Sequence, residues 1–389
     1  MSNTIVLEGA VRPGARVRVA GLDIARGVAI LGTLWTNIWL FSHQFGMAGY
    51  LIDPVTPGTS AVAAHIQSVL MALSQGKFLA LLCMLFGMGL AIQHAGAIRR
   101  GQRWPGRYLW RAVLLFLDGV LNYVLIAEFD VLMGYAVTAG LVAWMLLASE
   151  VAQRWLIAGF AAAHVVLVGA VSALAFAYSD QLDSGSWQGP NPYADGSFAD
   201  LVAFRLDNLA LFRAEPVLIA FGTVALFLVG ASLYRAGIFT PDGGRLRRRL
   251  LVVGVLAFPV DLALGSMAGV GGVLVERYLI APLVSIGLLA LIAEICTRRE
   301  AIGWMGRRLQ EVGRTALSCY LLQNLVAGAI FYGWGLGLAA DLGAWRVPAT
   351  LAGYVAITSV VVLCAHLWLR RFRTGPVEWA WRRAGNLGR

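Results

Sequence analysis

Apolar runs of about twenty residues, separated by short polar breaks, recur along all 389 residues, and this repetition narrows the possible folds sharply. A helix needs roughly 20 apolar residues to cross the hydrocarbon of a bilayer. In lipid each backbone N–H and C=O must be satisfied within the protein, so helices are favoured over open strands. Composition points the same way: 59% of residues are hydrophobic and 13% charged, with a mean hydropathy of +0.72, against about 25% charged in soluble domains. The chain is expected to be all-α, a polytopic membrane helix bundle with no sizeable soluble domain.

Hydropathy and charge predict ten spans, near residues 22–42, 76–96, 107–126, 129–148, 155–178, 216–236, 250–266, 278–296, 315–337 and 348–369. The stretch 61–75, which is short and contains His65, Gln67 and Gln75, reads as an amphipathic or re-entrant segment. Arginine distribution sets the orientation. With the N-terminus inside, 26 of the 31 Lys and Arg fall in or beside cytoplasmic segments, as the positive-inside rule requires. Both termini are then cytoplasmic. Lys77, the single lysine, is expected at the outer end of the second span, reaching toward headgroups. The organisation is a cytoplasmic arm (1–20), a membrane module (21–178), an outer loop (179–215), a second membrane module (216–369) and a basic tail (370–389). The outer loop, rich in Gly, Pro, Asn and Ser, reads as a connector or as a lid using Trp187 and Tyr193. Gly269-Val-Gly-Gly reads as a flexible outer turn, and Pro259 and Pro282 as breaks in spans seven and eight.

Charge inside the first span demands explanation. Asp23 and Arg26 stand three apart on one helix face, with Thr33 and Asn37 near the same direction. An ionised group near hydrocarbon costs on the order of 3 kcal/mol, so this stripe should face other helices or a wet cavity with its charges paired. At the outer boundary, Glu128 and Asp130 lie in the turn after the third span and Asp118 lies deeper, with no basic residue close in sequence. Such carboxylates can act as acid or base, accept hydrogen bonds from a substrate, or cap a turn. His43 and His65 flank the loop after the first helix, where a general base would meet water and acceptor. His94, His164 and His366 read as structural. Tyr320, Gln323 and Asn324 share a face of the ninth span, as helix contacts or a pocket wall, with Arg314 at its inner boundary. The tail arginines, Arg373 among them, suit anionic headgroups or the phosphates of coenzyme A, and Pro376 is placed to start a short helix. The chain has no Walker loop, GxSxG elbow or metal-ligand spacing, and its four cysteines are scattered singly.

Several phrases together resemble one family. LDIARGVAILGTLWTNI, GKFLALLCMLFGMGL, FDVLMGY, GRTALSCYLLQN and RFRTGPVEWAWR are similar, in order and spacing, to the bacterial YeiB-like inner-membrane proteins, whose C-terminal half is a domain of unknown function. The pattern Leu22-Asp23 with Arg26-Gly27 also resembles heparan-alpha-glucosaminide N-acetyltransferase and other transmembrane acyltransferases. The resemblance implies a multi-pass protein of the bacterial cytoplasmic membrane that moves an acyl group, most simply acetyl, from cytoplasmic acyl-CoA to a hydroxyl or amine beyond the membrane. Asp23, Arg26 and Asn37, with Arg314 and Arg373, would serve acyl-CoA, and His43, His65, Asp118 and Asp130 are the catalytic candidates, His43 matching the family histidine in position. Expected partners are anionic lipid at the cytoplasmic face, a small-molecule, glycan or lipid-linked acceptor, and a second copy in a homodimer, with no nucleic acid. A transporter using the same buried charges is the competing reading.

Overall fold

The computed structural model describes residues 20–55, 60–178, 191–267, 269–299 and 302–386. Among these the regular secondary structure is helical, without strands. In order the helices are α1 (Ala20–Phe41), α2 (Gly46–Ile52), α3 (Ala61–Ala72), α4 (Lys77–Arg99), α5 (Arg107–Leu125), α6 (Leu132–Met145) and α7 (Glu150–Ala177). After the outer segment come α8 (Phe198–Asp207), α9 (Leu209–Leu218), α10 (Ala220–Arg235), α11 (Gly244–Met267) and α12 (Gly269–Val275). A π-helical turn (Glu276–Ile280) leads into α13 (Ala281–Arg298). The chain ends with α14 (Trp304–Arg314), α15 (Ala316–Phe331), α16 (Leu338–Asp341), α17 (Arg346–Arg371) and α18 (Pro376–Asn386).

A helix occupies each of the ten predicted spans, but not all are long. Seven helical runs among the described residues are long and apolar enough to cross a membrane, or eight if α9 and α10, bent by 44°, count as one. The remaining two, α6 and α15, have only 14 and 16 residues. At about 1.5 Å per residue they fall short of a bilayer core. The segment 61–75 is helical through Ala72, and its exposed face carries Val62 and Ile66. Its buried end is pinned to α1, where Trp35 Nε1 donates to the Leu70 carbonyl at 2.9 Å. The chain then turns at Gly76, whose φ of +71° suits glycine, and enters α4.

Four local readings are corrected. The outer segment forms α8 and α9 over much of 198–218, because Ser197 and Asp200 build a capping box and the residues after it have a helical apolar spacing. Tyr193 is buried rather than presented for stacking, and Trp187 lies outside the described residues. Gly269–Val275 is a helix, not a flexible turn, and Pro259 stands inside an unbroken α11. Pro282 begins α13, where the missing N–H costs no hydrogen bond. Lys77 is 3% exposed and reaches no headgroup, because two acids from the far end of the chain meet it inside the bundle.

Glycines let the helices approach at backbone distance. A Cβ on Gly27 would lie 2.0 Å from the Leu309 carbonyl, and one on Gly313 would lie 1.7 Å from that of Asp23, so α1 and α14 touch along their backbones. The same reciprocity joins α4 to α10, where a Cβ on Gly87 would lie 1.9 Å from the Phe227 carbonyl and one on Gly230 would lie 2.0 Å from that of Met84. Within lipid, where helices gain little from burying apolar surface against one another, such close packing carries association. Gly87→Val is therefore expected to lower the thermal unfolding temperature in detergent and to cost about 1–3 kcal/mol through overpacking. Gly140, whose Cβ meets nothing, should accept alanine with little change in the same assay.

Candidate functional site

The bundle has two chemically distinct ends. The start of α1, the end of α14 and the starts of α15 and α18 meet at one end, through Gly313 on Asp23 and Arg314 Nη2 on the Arg373 carbonyl at 3.2 Å. The end of α1, the turn after α5, the end of α15 and residue 193 meet at the other, through ring contacts of Phe41 with Phe129 and Tyr332 and of Tyr332 with Tyr193. Arginines dominate the first end. Carboxylates and their counter-charges occupy the second.

Between them lies a column of polar side chains. At the arginine end Asp23 and Arg26 form the pair expected from their spacing, at 3.4 Å. Thr33, deeper in α1, accepts from Gln323 Nε2 at 3.3 Å, so the polar face of α1 packs against that of α15. Asn37, nearer the outer end, is half-buried. Tyr320, Gln323 and Asn324 are all buried, as one shared helix face predicts. Tyr320 lies against Asn122 and Asn324 and within reach of the Asp130 charge, and Asp118 is within reach of the charges of both Asp130 and Glu378.

The column is unusually poor in internal partners. Both amide atoms of Asn324, Oε1 of Gln323, Oδ1 of Asn122, Oδ2 of Asp118 and Nε of Arg213 are buried without a hydrogen bond. A buried polar atom left unpaired costs about 1–3 kcal/mol. Such groups mark a place where a polar ligand or water can belong, and six of the nineteen such atoms among the described residues lie here.

Asp130 is the best-defined acid here. Its Oδ1 accepts from Asn122 Nδ2 at 2.7 Å and its Oδ2 from the Met133 N–H at 3.1 Å. Burial pushes its carboxyl up to about 6, while those amide donors and Arg213 pull it the other way. The sequence offered no base near these carboxylates, and the fold supplies two. Arg205 of α8 pairs with Glu128 at 3.1 Å, both being almost fully buried, and also donates to the carbonyls of Val124 and Ile126. Arg213 of α9 donates to the backbone carbonyls of Glu128 and Asp130 and lies 4.2 Å from the centre of the Tyr123 ring. Neither arginine carried a local signal, since each lies more than seventy residues from its partner.

The histidines differ from expectation. His43 is 2% exposed under α2, not open to an acceptor. Its Nε2–H donates to the Asp53 carbonyl at 3.0 Å, and its Nδ1 accepts from the Phe45 N–H at 3.2 Å. That arrangement fixes a neutral tautomer. Burial, reinforced by the Arg346 charge, lowers its pKa to about 3, so it is a weak base. His65 is exposed on α3, and the structure does not bring the two together in one enclosed site. His164 contacts the Tyr278 carbonyl at 3.2 Å and His366 contacts Glu311 at 3.3 Å, both structural.

The tail motif Gly375-Pro376 with Glu378 has a specific use that anchoring alone did not suggest. Glu378 Oε1 accepts from the N–H groups of Leu317 and Ser318 at 2.9 and 3.2 Å, and Oε2 accepts from the Ser318 hydroxyl at 2.5 Å. A carboxylate from α18 thus caps the N-terminus of α15, where the helix dipole favours negative charge. Arg314 and Arg373 are the cations beside it, Arg314 half-buried with its Nε unpartnered among the described residues and Arg373 exposed. An apolar groove of about 240 Å³ opens separately between α4, α7, α10 and α13, lined by Leu79, Cys83, Ala161 and Leu226 and ending at Arg277 and Tyr278.

Because the folded state holds His43 neutral to about pH 3 while an unfolded chain protonates it near 6.5, the unfolded state binds more protons throughout that window. Stability should therefore be complete above pH 6.5 and fall as pH drops toward 3. Unfolding temperatures measured across this range should show a shallower acid limb in His43→Phe than in the unaltered protein.

Residues 233–387 match the family model described as "Protein of unknown function (DUF418)". Two bacterial proteins are similar along nearly the entire chain. The uncharacterized protein YxaH of Bacillus subtilis (strain 168) is 25% identical over 395 residues, covering 95% of this chain and 94% of its own. The uncharacterized protein YeiB of Escherichia coli (strain K12) is 29% identical over 394 residues, covering 93% and 94%.

Proposed function

We propose that this chain, similar to YeiB and YxaH along nearly its whole length and matching the DUF418 model over residues 233–387, is an integral membrane acyltransferase of the bacterial cytoplasmic membrane. The observation that carries the reading is the polar column, which joins an arginine-rich end to a carboxylate end and leaves six side-chain atoms of five residues unpaired. We take the arginine end as cytoplasmic, following the charge distribution.

In this reading Arg314 and Arg373 receive the phosphates of acyl-CoA, and the paired Asp23 and Arg26 line the entry with Asn37 further along. The unpartnered nitrogen of Arg314 fits an anionic group, whereas the N-terminus of α15 does not, because Glu378 fills it. At the other end Asp130 is the better base of the candidates. Its carboxyl near 6 is ionised at neutral pH yet basic enough to take a proton, as general-base catalysis requires. Asp130 takes the proton of the acceptor hydroxyl or amine as that atom attacks the thioester carbonyl. The C–S bond breaks, and the departing thiolate takes up a proton. Asn122, Tyr320 and Asn324 orient the acceptor, Asp118 stands beside Asp130, and His43 keeps the α2 turn in place. The acceptor is a small molecule, glycan or lipid-linked group, whose tail suits the apolar groove, and two copies of the chain form the working assembly beside anionic lipid.

Transport is the second reading, favoured by Lys77 and two acids buried together beside a helix break and a π-helical turn, irregular backbone of the kind that lines coupling-ion sites. Purified protein in detergent distinguishes them. The acyltransferase reading expects acetyl-CoA to raise the unfolding temperature and to be slowly hydrolysed without acceptor, with the rate falling below pH 6 as Asp130 protonates. Asp130→Asn should keep binding and lose about 100-fold or more in turnover. If no acyl-CoA binds or turns over, the reading fails and transport stands; an acid limb near pH 3 would return the base role to His43.

A further inference from the structure

Lys77, the only lysine, opens α4 immediately after the break at Gly76. Its Nζ lies 2.5 Å from Asp261 Oδ2 of α11 and 2.8 Å from Glu276 Oε1 at the start of the π-helical turn. It also meets the carbonyls of Ala72 at 2.6 Å and Gln75 at 3.2 Å, which the helix break has released. An ammonium has three N–H donors, and here four oxygens converge on it. Asp261 and Glu276 are both 0% exposed and Lys77 3%, so water does not compensate their charges.

The charges do not balance. Two carboxylates face one ammonium, leaving one negative charge in excess if all three are ionised. The neighbouring cations make their direct contacts elsewhere. Arg277, next to Glu276, is taken by Glu215 at 2.6 Å, and Glu215 also accepts from the Tyr278 hydroxyl at 2.8 Å. Arg346 donates to the carbonyls of Pro54 and Trp39, and Tyr50 is a neutral phenol facing the same region. Meanwhile Asp261 Oδ1 and Glu276 Oε2 are buried acceptors without a donor. An acid shared with a neighbouring like charge holds a proton, because two adjacent carboxylates in low dielectric cannot both ionise at little cost.

We propose that Lys77, Asp261 and Glu276 form a proton-binding site in the interior of the helix bundle, in which the two carboxylates hold one exchangeable proton over the lysine. The site joins the α3–α4 break to the π-helical turn before α13, and Ser285 Oγ of α13 ties them by donating to the Lys77 carbonyl at 2.5 Å. Loading and release of the proton therefore change the charge exactly where these two breaks are pinned together. The site is independent of the acyl-transfer reading and uses none of its residues.

Infrared spectroscopy of the purified full chain tests it, since a protonated carboxyl has a carbonyl band distinct from that of a carboxylate. The unaltered protein should show such a band at neutral pH, lost with rising pH, and both Asp261→Asn and Glu276→Gln should lack it. Each of these variants leaves a balanced ion pair with Lys77 and should keep or raise the unfolding temperature. Lys77→Met leaves two acids without a cation and should strengthen the band; if it does not fold, the two acid variants still decide. A band unchanged in both acid variants, or no pH-dependent band in the unaltered protein, overturns the proposal. So does a large loss of stability in both acid variants without a spectral change, which is the behaviour of a fully ionised structural cluster. Because the readout is a proton and not an acyl group, a failed acyl-CoA assay leaves this result intact.

Discussion

Desolvation governs this structure more than apolar packing does. A charge buried from water costs several kcal/mol even after relaxation, and it survives only with a partner in good geometry. The fold meets that demand by bringing partners from far along the chain. Arg205 reaches Glu128 across 77 residues, Lys77 reaches Glu276 across 199, and Arg346 donates to the Trp39 carbonyl across 307. Each of these contacts fixes which helices are neighbours. Apolar surface, by contrast, faces lipid as readily as it faces another helix, so hydropathy places helices in the membrane without ordering them.

The glycine contacts complete that ordering. Where α1 meets α14 and α4 meets α10, backbone carbonyls lie where a Cβ would have to go. These contacts bring the Asp23–Arg26 turn against the end of α14 and hold the polar faces of α1 and α15 together, so that Thr33 reaches Gln323.

Much of this could be read from the chain. The helix positions followed from apolar run length. The shared face of Tyr320, Gln323 and Asn324 followed from helical period, and the Asp23–Arg26 pair from its spacing. What stayed hidden were relations between distant segments. Lys77 looked like a boundary lysine because its own neighbourhood contains no acid; Asp261 and Glu276 supply them from nearly two hundred residues away. Glu128 and Asp130 looked uncompensated for the same reason. The segment 198–215 looked like loop because its polar start hid two short helices. His43 stood where a base should be, and only the turn that folds over it shows that both ring nitrogens are engaged by backbone.

Helix length connects these points to what the molecule can do. α6 and α15 are short, and α15 spans about 24 Å at 1.5 Å per residue, less than a ~30 Å hydrocarbon core. A short helix in the middle of a bundle draws both aqueous faces inward. Glu378 caps one end of α15 while the turn carrying Glu128 and Asp130 packs at the other, so acids linked to opposite ends of the bundle both act on the single half-buried Asp118. Long outer helices such as α7, α11 and α17 provide the full membrane thickness around this thinner centre. The capped start of α15 and the turn carrying Glu128 and Asp130 are therefore joined by a helix shorter than a bilayer core, a geometry that acyl transfer across a membrane and transport would both require.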